Sequence, residues 1–136
     1  MKRKTLGFSL IELLVAVTIM IVISAVGTIS YRSSSLSARN NRRRADLEQV
    51  RMALELYREE IGGYPNVTSM TLLKGVLETT YIKEMPVDPK DSFVYAYSYV
   101  DPYNYTICAY LEGEAAGSYC GSACGVSGCN YRVSNP

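Results

Sequence analysis

The chain has 136 residues and is almost neutral, with 14 basic and 13 acidic side chains, and it contains 12 tyrosines but neither histidine nor tryptophan. This length suits one small domain plus one special segment, and the overall charge predicts no particular partner. Because histidine is the commonest general base and a favoured zinc ligand, its absence argues against most hydrolases. With no evident pair of nucleophile and base, we predict no enzyme activity, no catalytic residue and no cofactor.

The first element is an apolar run from Phe8 to Ile29 that follows the basic start MKRK. About 20 apolar residues span the hydrocarbon core of a membrane, so a plain transmembrane anchor fits the length. It leaves Glu12 unexplained, since a carboxylate deep in hydrocarbon costs roughly 2.5–3.5 kcal/mol. An ordinary secretory signal, cut near Ala25–Gly27, should have a shorter apolar stretch of about 7–15 residues.

The stretch KTLGFSLIELLVAVTIM resembles the class III signal of type IV pilins and pseudopilins. The shared features are a short basic leader, a glycine followed by phenylalanine, and a glutamate four residues after that phenylalanine. The resemblance implies that a prepilin peptidase cuts between Gly7 and Phe8 and that Phe8 is then N-methylated. It also implies an assembly role for Glu12, whose carboxylate would pair with the Phe8 amine of a neighbouring subunit.

The same resemblance implies a domain organisation and a function. The expected parts are a leader at 1–7, a transmembrane and assembly helix at 8–30, and an extracytoplasmic globular domain at 31–136. The implied function is a structural subunit of a type IV pilus-like filament, and the implied partners are further copies of the chain, the prepilin peptidase, the inner membrane and the pilus assembly platform. We expect no direct contact with nucleic acid. The chain would reside in the inner membrane as a precursor and then in a cell-surface or periplasmic filament.

Two other functions remain open for the same segment pattern. One is a pseudopilin of type II secretion, and the other is a minor pilin that acts as a membrane-tethered adhesive or DNA-capturing module.

Charge and resemblance predict opposite orientations of the apolar run in the membrane. Three basic residues precede the run and five follow it. Basic residues are usually richer on the cytoplasmic side, so charge alone favours the opposite orientation. The resemblance instead implies that the leader lies on the cytoplasmic side of the membrane.

A helical pattern continues after the apolar run. Apolar residues recur at three- and four-residue spacing and predict one core-facing stripe, namely Leu47, Val50, Leu54, Tyr57 and Ile61. Gly62, Gly63 and Pro65 supply a strong helix stop. The run Arg42–Arg44 is expected to be a solvated helix face near lipid head groups rather than a nucleic-acid contact.

The rest of the chain is predicted to form a short helix and strands that pack against this stripe. TSMTLLKGVLETTYI reads as a short helix capped by Thr68 or Ser69, with four residues facing inward: Leu72, Leu73, Val76 and Leu77. SFVYAYSYV and YNYTICAYL then alternate as strands, and CNYRVSNP supplies a possible third. We therefore predict an α+β fold, a long N-terminal helix packed on a small antiparallel sheet, which resembles the pilin fold.

Acidic residues in the loops raise the question of a metal site. Major pseudopilins hold calcium in an acid-bearing loop near the end of the chain, but here no acid follows Glu114. Asp88, Asp91 and Asp101 are expected to be solvated loop acids, so we predict no metal.

All four cysteines come late in the chain, and they are Cys108, Cys120, Cys124 and Cys129. A structural zinc site favours closely spaced pairs, and Cys108 has no such neighbour. An even number of cysteines in an exported domain favours two disulfides, although sequence does not choose among the three possible pairings.

Overall fold

A computed structural model describes residues 8–121, 124–125 and 127–135, with the backbone alone for 28–30. Its elements are α1 (Leu10–Ile61), α2 (Met70–Leu77), β1 (Ala96–Asp101), β2 (Asn104–Ala109) and β3 (Tyr131–Ser134). By its contacts the chain divides into two compact units, one up to Ser37 and one from Ala38 onward. Residues of α1 contribute to both units. The predicted α+β class, with a long N-terminal helix followed by a small antiparallel sheet, is confirmed.

The end of α1 is set by glycine. Gly62 has a φ of +88°, a backbone conformation that costs glycine nothing. Its N–H donates to the Arg58 carbonyl at 2.8 Å and so satisfies one of the last helical acceptors. The predicted helix stop is therefore confirmed.

The sheet is an antiparallel meander in the order β1-β2-β3. Tyr97 pairs with Ile107, and Ile107 pairs in turn with Val133. β1 begins at Ala96, three residues later than the alternation suggests, because Phe93 instead forms an isolated bridge with Gly125. The predicted hairpin and third strand are otherwise confirmed.

The main core lies between α1 and one face of the sheet. Leu47, Val50 and Leu54 have no exposed surface, as their helical spacing predicts. Tyr57 packs partly against this core. The prediction for Ile61 is wrong, because this last residue of α1 lies beyond the edge of the core and is 60% exposed.

The short helix α2 supplies a second wall of the core. The Ser69 hydroxyl caps it by accepting from the Leu72 N–H at 3.2 Å, so Ser69 rather than Thr68 is the N-cap. Leu73 and Leu77 are fully buried, four residues apart on one face. Leu72 lies one position off that face, about 100° around the helix, and is exposed, contrary to the prediction.

Candidate assembly segment and buried ion network

The first candidate site is the start of α1. The carbonyl of Ser9 accepts the backbone N–H groups of Glu12 and Leu13 at 3.1 and 3.2 Å, so the helix begins directly after Phe8 and Ser9. Glu12 falls in the first turn, where a carboxylate faces the positive end of the helix dipole. The predicted cleavage position has Phe8 on its described side, while Gly7 lies outside the described residues.

The apolar part of this helix is uncovered. Exposure of its large apolar side chains runs from 47% at Val17 to 81% at Leu10. The hydroxyls of Thr18 and Ser24 donate to backbone carbonyls within the helix at 2.8 and 2.7 Å, so they require no outside partner. One 18-residue window has a mean hydropathy of 2.6, and the helix is long and apolar enough to cross a membrane.

Glu12 is the one ionisable group in this apolar surface. Within the described part of the chain, no basic side chain forms an ion pair with it. A carboxylate at such a position is costly in hydrocarbon unless an opposite charge or water reaches it. The segment thus presents a large apolar surface that can pack against lipid or other helices. It also contains one carboxylate, Glu12, that has no cationic partner in the described part of the chain.

The second candidate site is a buried ion network in the unit that begins at Ala38. Arg43 and Asp88 have side chains that are 0% and 1% exposed. The guanidinium donates through Nε and Nη2 to the two Asp88 oxygens at 2.7 and 2.9 Å. Its Nη1 donates to Glu112 at 3.0 Å, and its carbon lies 5.3 Å from the centre of the Phe93 ring. This bidentate geometry, in which all three guanidinium nitrogens donate a hydrogen bond, compensates the cost of burying both charges.

Glu112 joins this network to two further cations. Arg39 donates to it through Nε at 2.8 Å and through Nη2 at 3.2 Å, and Lys90 Nζ lies at 3.3 Å. The hydrogen bonds from Arg39, Arg43 and Lys90 hold the pKa of the Glu112 carboxyl at about 2, although burial acts in the opposite direction. The carboxylate is therefore ionised at every physiological pH.

Two side-chain amides hold the backbone next to Glu112. Asn40 accepts the Glu112 N–H at 3.0 Å and donates to the Glu112 carbonyl at 2.9 Å. Asn130 does the same for Leu111, at 2.6 and 2.9 Å. Each amide thus satisfies one donor and one acceptor, as a neighbouring strand would. The segment after β2 is fixed from α1 on one side and from the approach to β3 on the other.

The network corrects two predictions. Arg43 lies in the core and is not part of a solvated face, whereas Arg42 and Arg44 are exposed. Asp88 is a buried partner of Arg43 and not a solvated loop acid. A signal for Arg43 was present in the sequence, because it lies four residues before Leu47 and so continues the buried stripe by one turn. Asn40 lies three residues before Arg43 and extends the same stripe, whereas no comparable local signal marks Asp88 or Glu112.

The four cysteines form two disulfides, Cys108–Cys120 and Cys124–Cys129. The prediction of disulfides is confirmed, and the structure supplies the pairing that the sequence leaves open. Cys108, Cys124 and Cys129 are buried with Ala96 in a second small cluster. Disulfide sulfurs are not thiolates, so the zinc alternative for these residues is wrong. Among the described residues no group of three potential metal ligands occurs.

A long helix with an uncovered apolar start, followed by a small three-stranded sheet, is the architecture that the resemblance to pilins implies. The family model described as the prokaryotic N-terminal methylation motif matches residues 2–28. The chain is also 44% identical over 57 residues to the pilin-like protein PilA3 of Thermus thermophilus, a match that covers 41% of this chain and 23% of PilA3.

The matched segment is thus about a quarter of the length of that curated relative. No solved structure gives a significant match. The chain matches the N-terminal methylation motif over residues 2–28, and the two matches support its resemblance to the type IV pilin and pseudopilin family.

Proposed function

We propose that the chain is a structural subunit of a type IV pilus-like filament. It is inserted in the inner membrane as a precursor, cut by a prepilin peptidase between Gly7 and Phe8, N-methylated at Phe8, and polymerised with the help of a pilus assembly platform. The observation that carries this proposal is the uncovered apolar helix surface that contains a single carboxylate, Glu12. The prepilin signal at residues 2–28 supports the processing step.

The exposed apolar surface needs two successive environments. Exposed apolar area of this extent is unfavourable in water, and a bilayer covers it while the chain is a single membrane-bound subunit. On leaving the bilayer, the same helix must exchange lipid for other apolar helices. Copies of the same chain provide such helices, so polymerisation covers the surface without a further partner.

Glu12 gives this polymerisation its register. Cleavage would create an α-amine at Phe8 with an unperturbed pKa of about 7.7–8.0, so the amine is mostly a cation at neutral pH. In a single subunit, Glu12 and this amine reach interfacial water. In a filament, where helices exclude water, Glu12 of one subunit pairs with the Phe8 amine of its neighbour. Breaking one half of a buried pair typically costs about 3–5 kcal/mol.

The test is the variant Glu12→Ala in cells that make no wild-type subunit. We expect normal membrane insertion and normal cleavage after Gly7, but a yield of filaments reduced at least about ten-fold, since about 1.4 kcal/mol already changes an equilibrium ten-fold. Glu84→Ala, which removes an exposed loop carboxylate, is the control and should leave the yield unchanged. Normal yield from Glu12→Ala would show that the carboxylate is incidental.

A second measurement separates a pilin from a pseudopilin. Filaments sheared from intact cells contain surface pilins, whereas pseudopilins remain in the periplasm. We expect mass spectrometry of the sheared fraction to find this chain as an abundant component. Its confinement to the periplasmic fraction would favour the secretion alternative.

A further inference from the structure

An open groove lies between α2 and the residues that lead into β1, in the unit that begins at Ala38. Its volume is about 190 Å³. An apolar cavity of roughly 150 Å³ can hold a benzene ring, so this groove has room for one aromatic side chain. We call it the α2 groove, and its lining includes Met70, Lys74, Met85, Val87, Phe93 and Tyr95.

The floor of the α2 groove is preformed, and its rim is open to solvent. The floor residues Met85, Phe93 and Tyr95 are between 4% and 7% exposed, whereas Val87 at the rim is 71% exposed. The Tyr95 hydroxyl donates to Asp46 at 2.6 Å, which fixes that ring from α1. Methionine side chains adapt their shape to a bound group, so the groove offers an apolar surface that is favourably covered by one.

A partly exposed cation lies at the rim of the α2 groove. The Lys74 side chain is 51% exposed, and its Nζ lies 3.5 Å from Glu78 Oε1. An ammonium group has three donors, so Lys74 can bind a second carboxylate. The Asp88 carboxylate also lines the groove, but Arg43 already neutralises it. The groove therefore suits an aromatic side chain that has a carboxylate beside it.

The turn between β1 and β2 presents such a pair of groups. Tyr103 in this turn is 62% exposed. The Asp101 carboxylate accepts the Tyr103 N–H at 2.8 Å and the Asn104 side-chain amide at 2.9 and 3.0 Å. The Asn104 amide and the Tyr103 N–H lower the pKa of Asp101, so this group is an anion at neutral pH. Exposed tyrosines are frequent anchors of interfaces, and here hydrogen bonds hold the backbone that carries the ring.

The α2 groove and the turn lie at opposite ends of the same unit. Phe93 of the groove has its ring centre 5.3 Å from the Arg43 guanidinium, near the first residues of α1 in this unit. The turn lies just past the end of α1, where the Tyr64 N–H donates to the Pro102 carbonyl at 2.9 Å. Arg43 and Ile61 are 18 residues apart, which is about 27 Å of helix. A parallel copy displaced by roughly this length brings the turn of one chain to the groove of the next.

We propose that the α2 groove is a docking site for a second copy of this chain, which inserts Tyr103 into the groove and places Asp101 near Lys74. This inference rests on the proposed filament function and adds a contact between globular units. The occupant is a second copy because one chain carries both the groove with its cation and the exposed ring with its carboxylate. Such a contact joins two different patches, so it can repeat along a filament.

Cysteine pairing tests this contact in the full chain. Within the described residues no cysteine is free, so the introduced thiols have no native thiol to react with. The variant Thr71→Cys/Tyr103→Cys carries one thiol at the exposed rim of the groove and one in the turn. Mild oxidation of intact cells and of sheared filaments should join successive copies into a ladder of covalent multimers, whereas either single variant should give dimers at most. The matched control Ser134→Cys/Tyr103→Cys places the first thiol at an exposed position of β3, at the other edge of the sheet, and should give no ladder.

The possible results separate this contact from the proposed function. Filaments of normal yield without a ladder would overturn the groove contact and leave the filament function in place. A ladder of equal strength in the Ser134 control, or cross-linking to a different protein, would also overturn the contact. A specific ladder in membrane-held chains whose wild type yields no filaments would support the contact and refute the filament function. Absence of both filaments and ladder would refute both.

Charge exchange provides a second test that needs no introduced thiol, and it decides the question if the cysteine variants do not assemble. Lys74→Glu should lower filament yield several-fold, because it places a carboxylate opposite Asp101. Tyr103→Lys should also lower the yield, because the ring is lost and the new cation faces Lys74. The double variant restores an opposite-charge pair and should recover part of the yield, whereas the exposed Lys83→Glu is the control and should change nothing.

The double variant also separates assembly from folding. Lys74→Glu has the same effect on the neighbouring Glu78 in the single and in the double variant, so recovery of yield reports the contact between chains. Loss in the single variants without recovery in the double variant, no loss in either, or an equal loss in Lys83→Glu would contradict the groove contact.

Discussion

Arg43 is a charged residue that occupies a core position of α1. It continues the buried stripe one turn before Leu47, yet its guanidinium has hydrogen-bond acceptors from Asp88, Glu112 and Asn40. A buried ion pair adds little net stability compared with apolar residues of similar size, but removing one partner leaves an uncompensated charge. The network therefore specifies how the loops that carry Asp88 and Glu112 dock on the helix.

The first prediction concerns Arg43→Met. It should lower the free energy of unfolding by about 3–5 kcal/mol, because Asp88 is left buried without a cation. The double variant Arg43→Met/Asp88→Leu should be less destabilised than Arg43→Met, since neither charge remains. The check is chemical denaturation of the full chain in detergent micelles, with the exposed Arg42→Met as a control that stays within about 0.5 kcal/mol. Equal stability of Arg43→Met and the control would contradict the role given to the network.

Glu112 makes stability depend on pH in the acid range. Its folded-state pKa of about 2 lies below the unfolded value of about 4.3. A lowered pKa contributes stability that is fully present above the unfolded value and is lost as the pH falls towards the folded value. Arg39 and Lys90 are partly exposed, so solvent screens these ion pairs and the contribution at neutral pH is smaller than the roughly 3 kcal/mol that the full pKa difference corresponds to.

We therefore expect the midpoint temperature of unfolding to decrease as the pH is lowered from about 5 to about 2. Glu112→Gln should be less stable at neutral pH and should lose much of this acid dependence, whereas Glu84→Gln should retain it. An unchanged acid profile in Glu112→Gln would assign the dependence to other carboxyls.

Among the elements, the segment between β2 and β3 is ordered by disulfides and by glycines that permit close backbone contact. A Cβ on Gly125 would lie 2.4 Å from the Ser92 carbonyl oxygen, and one on Gly117 would lie 2.7 Å from the Asn130 Cα. Gly125 also has a φ of +93° and bridges to Phe93. The segment has few apolar side chains, so backbone contact and covalent links replace a conventional core.

This packing predicts different effects of alanine at two glycines. Gly121 and Gly125 both have positive φ, but a Cβ on Gly121 meets nothing within 4 Å. Gly121→Ala should cost about 1 kcal/mol from backbone strain alone. Gly125→Ala should cost a further 1–3 kcal/mol or so, because the Ser92 backbone must move. Thermal unfolding of both variants checks this, and equal costs would show that the close approach is easily relaxed.

For the whole molecule, the two compact units satisfy their side chains differently. The unit from Ala38 onward buries its apolar residues and pairs its buried charges internally. The unit up to Ser37 leaves its apolar side chains uncovered and Glu12 without a described cation. The unit from Ala38 onward therefore covers its own apolar residues, whereas the unit up to Ser37 requires lipid or other chains to cover its apolar surface.

The processing of the whole chain gives a further prediction. Intact-mass measurement of the protein from its native membrane should find a chain that starts at methylated Phe8, because the prepilin signal covers residues 2–28. Gly7 is the control position, since substitution by a bulky residue should leave the precursor uncut. A mature chain that starts at Thr28 would instead support an ordinary signal peptide.

Local patterns in the sequence determined much of this molecule. The helix formed by the apolar run, the helical stripe of Leu47, Val50 and Leu54, the stop at Gly62 and the alternating strands are all confirmed. These features depend on residues close together in the chain, where spacing and backbone preference are sufficient. Even the N-cap at Ser69 was available as one of two local candidates.

Only the tertiary structure decided which distant groups meet. Arg43 and Asp88 are 45 positions apart, and Arg39 and Glu112 are 73 apart, so no local spacing links them. The pairing of Cys108 with Cys120 likewise depends on how the segment after β2 folds back onto that strand. Burial of a charge is decided by whether the fold brings a partner to it, and that partner comes from a part of the chain that local periodicity does not reach.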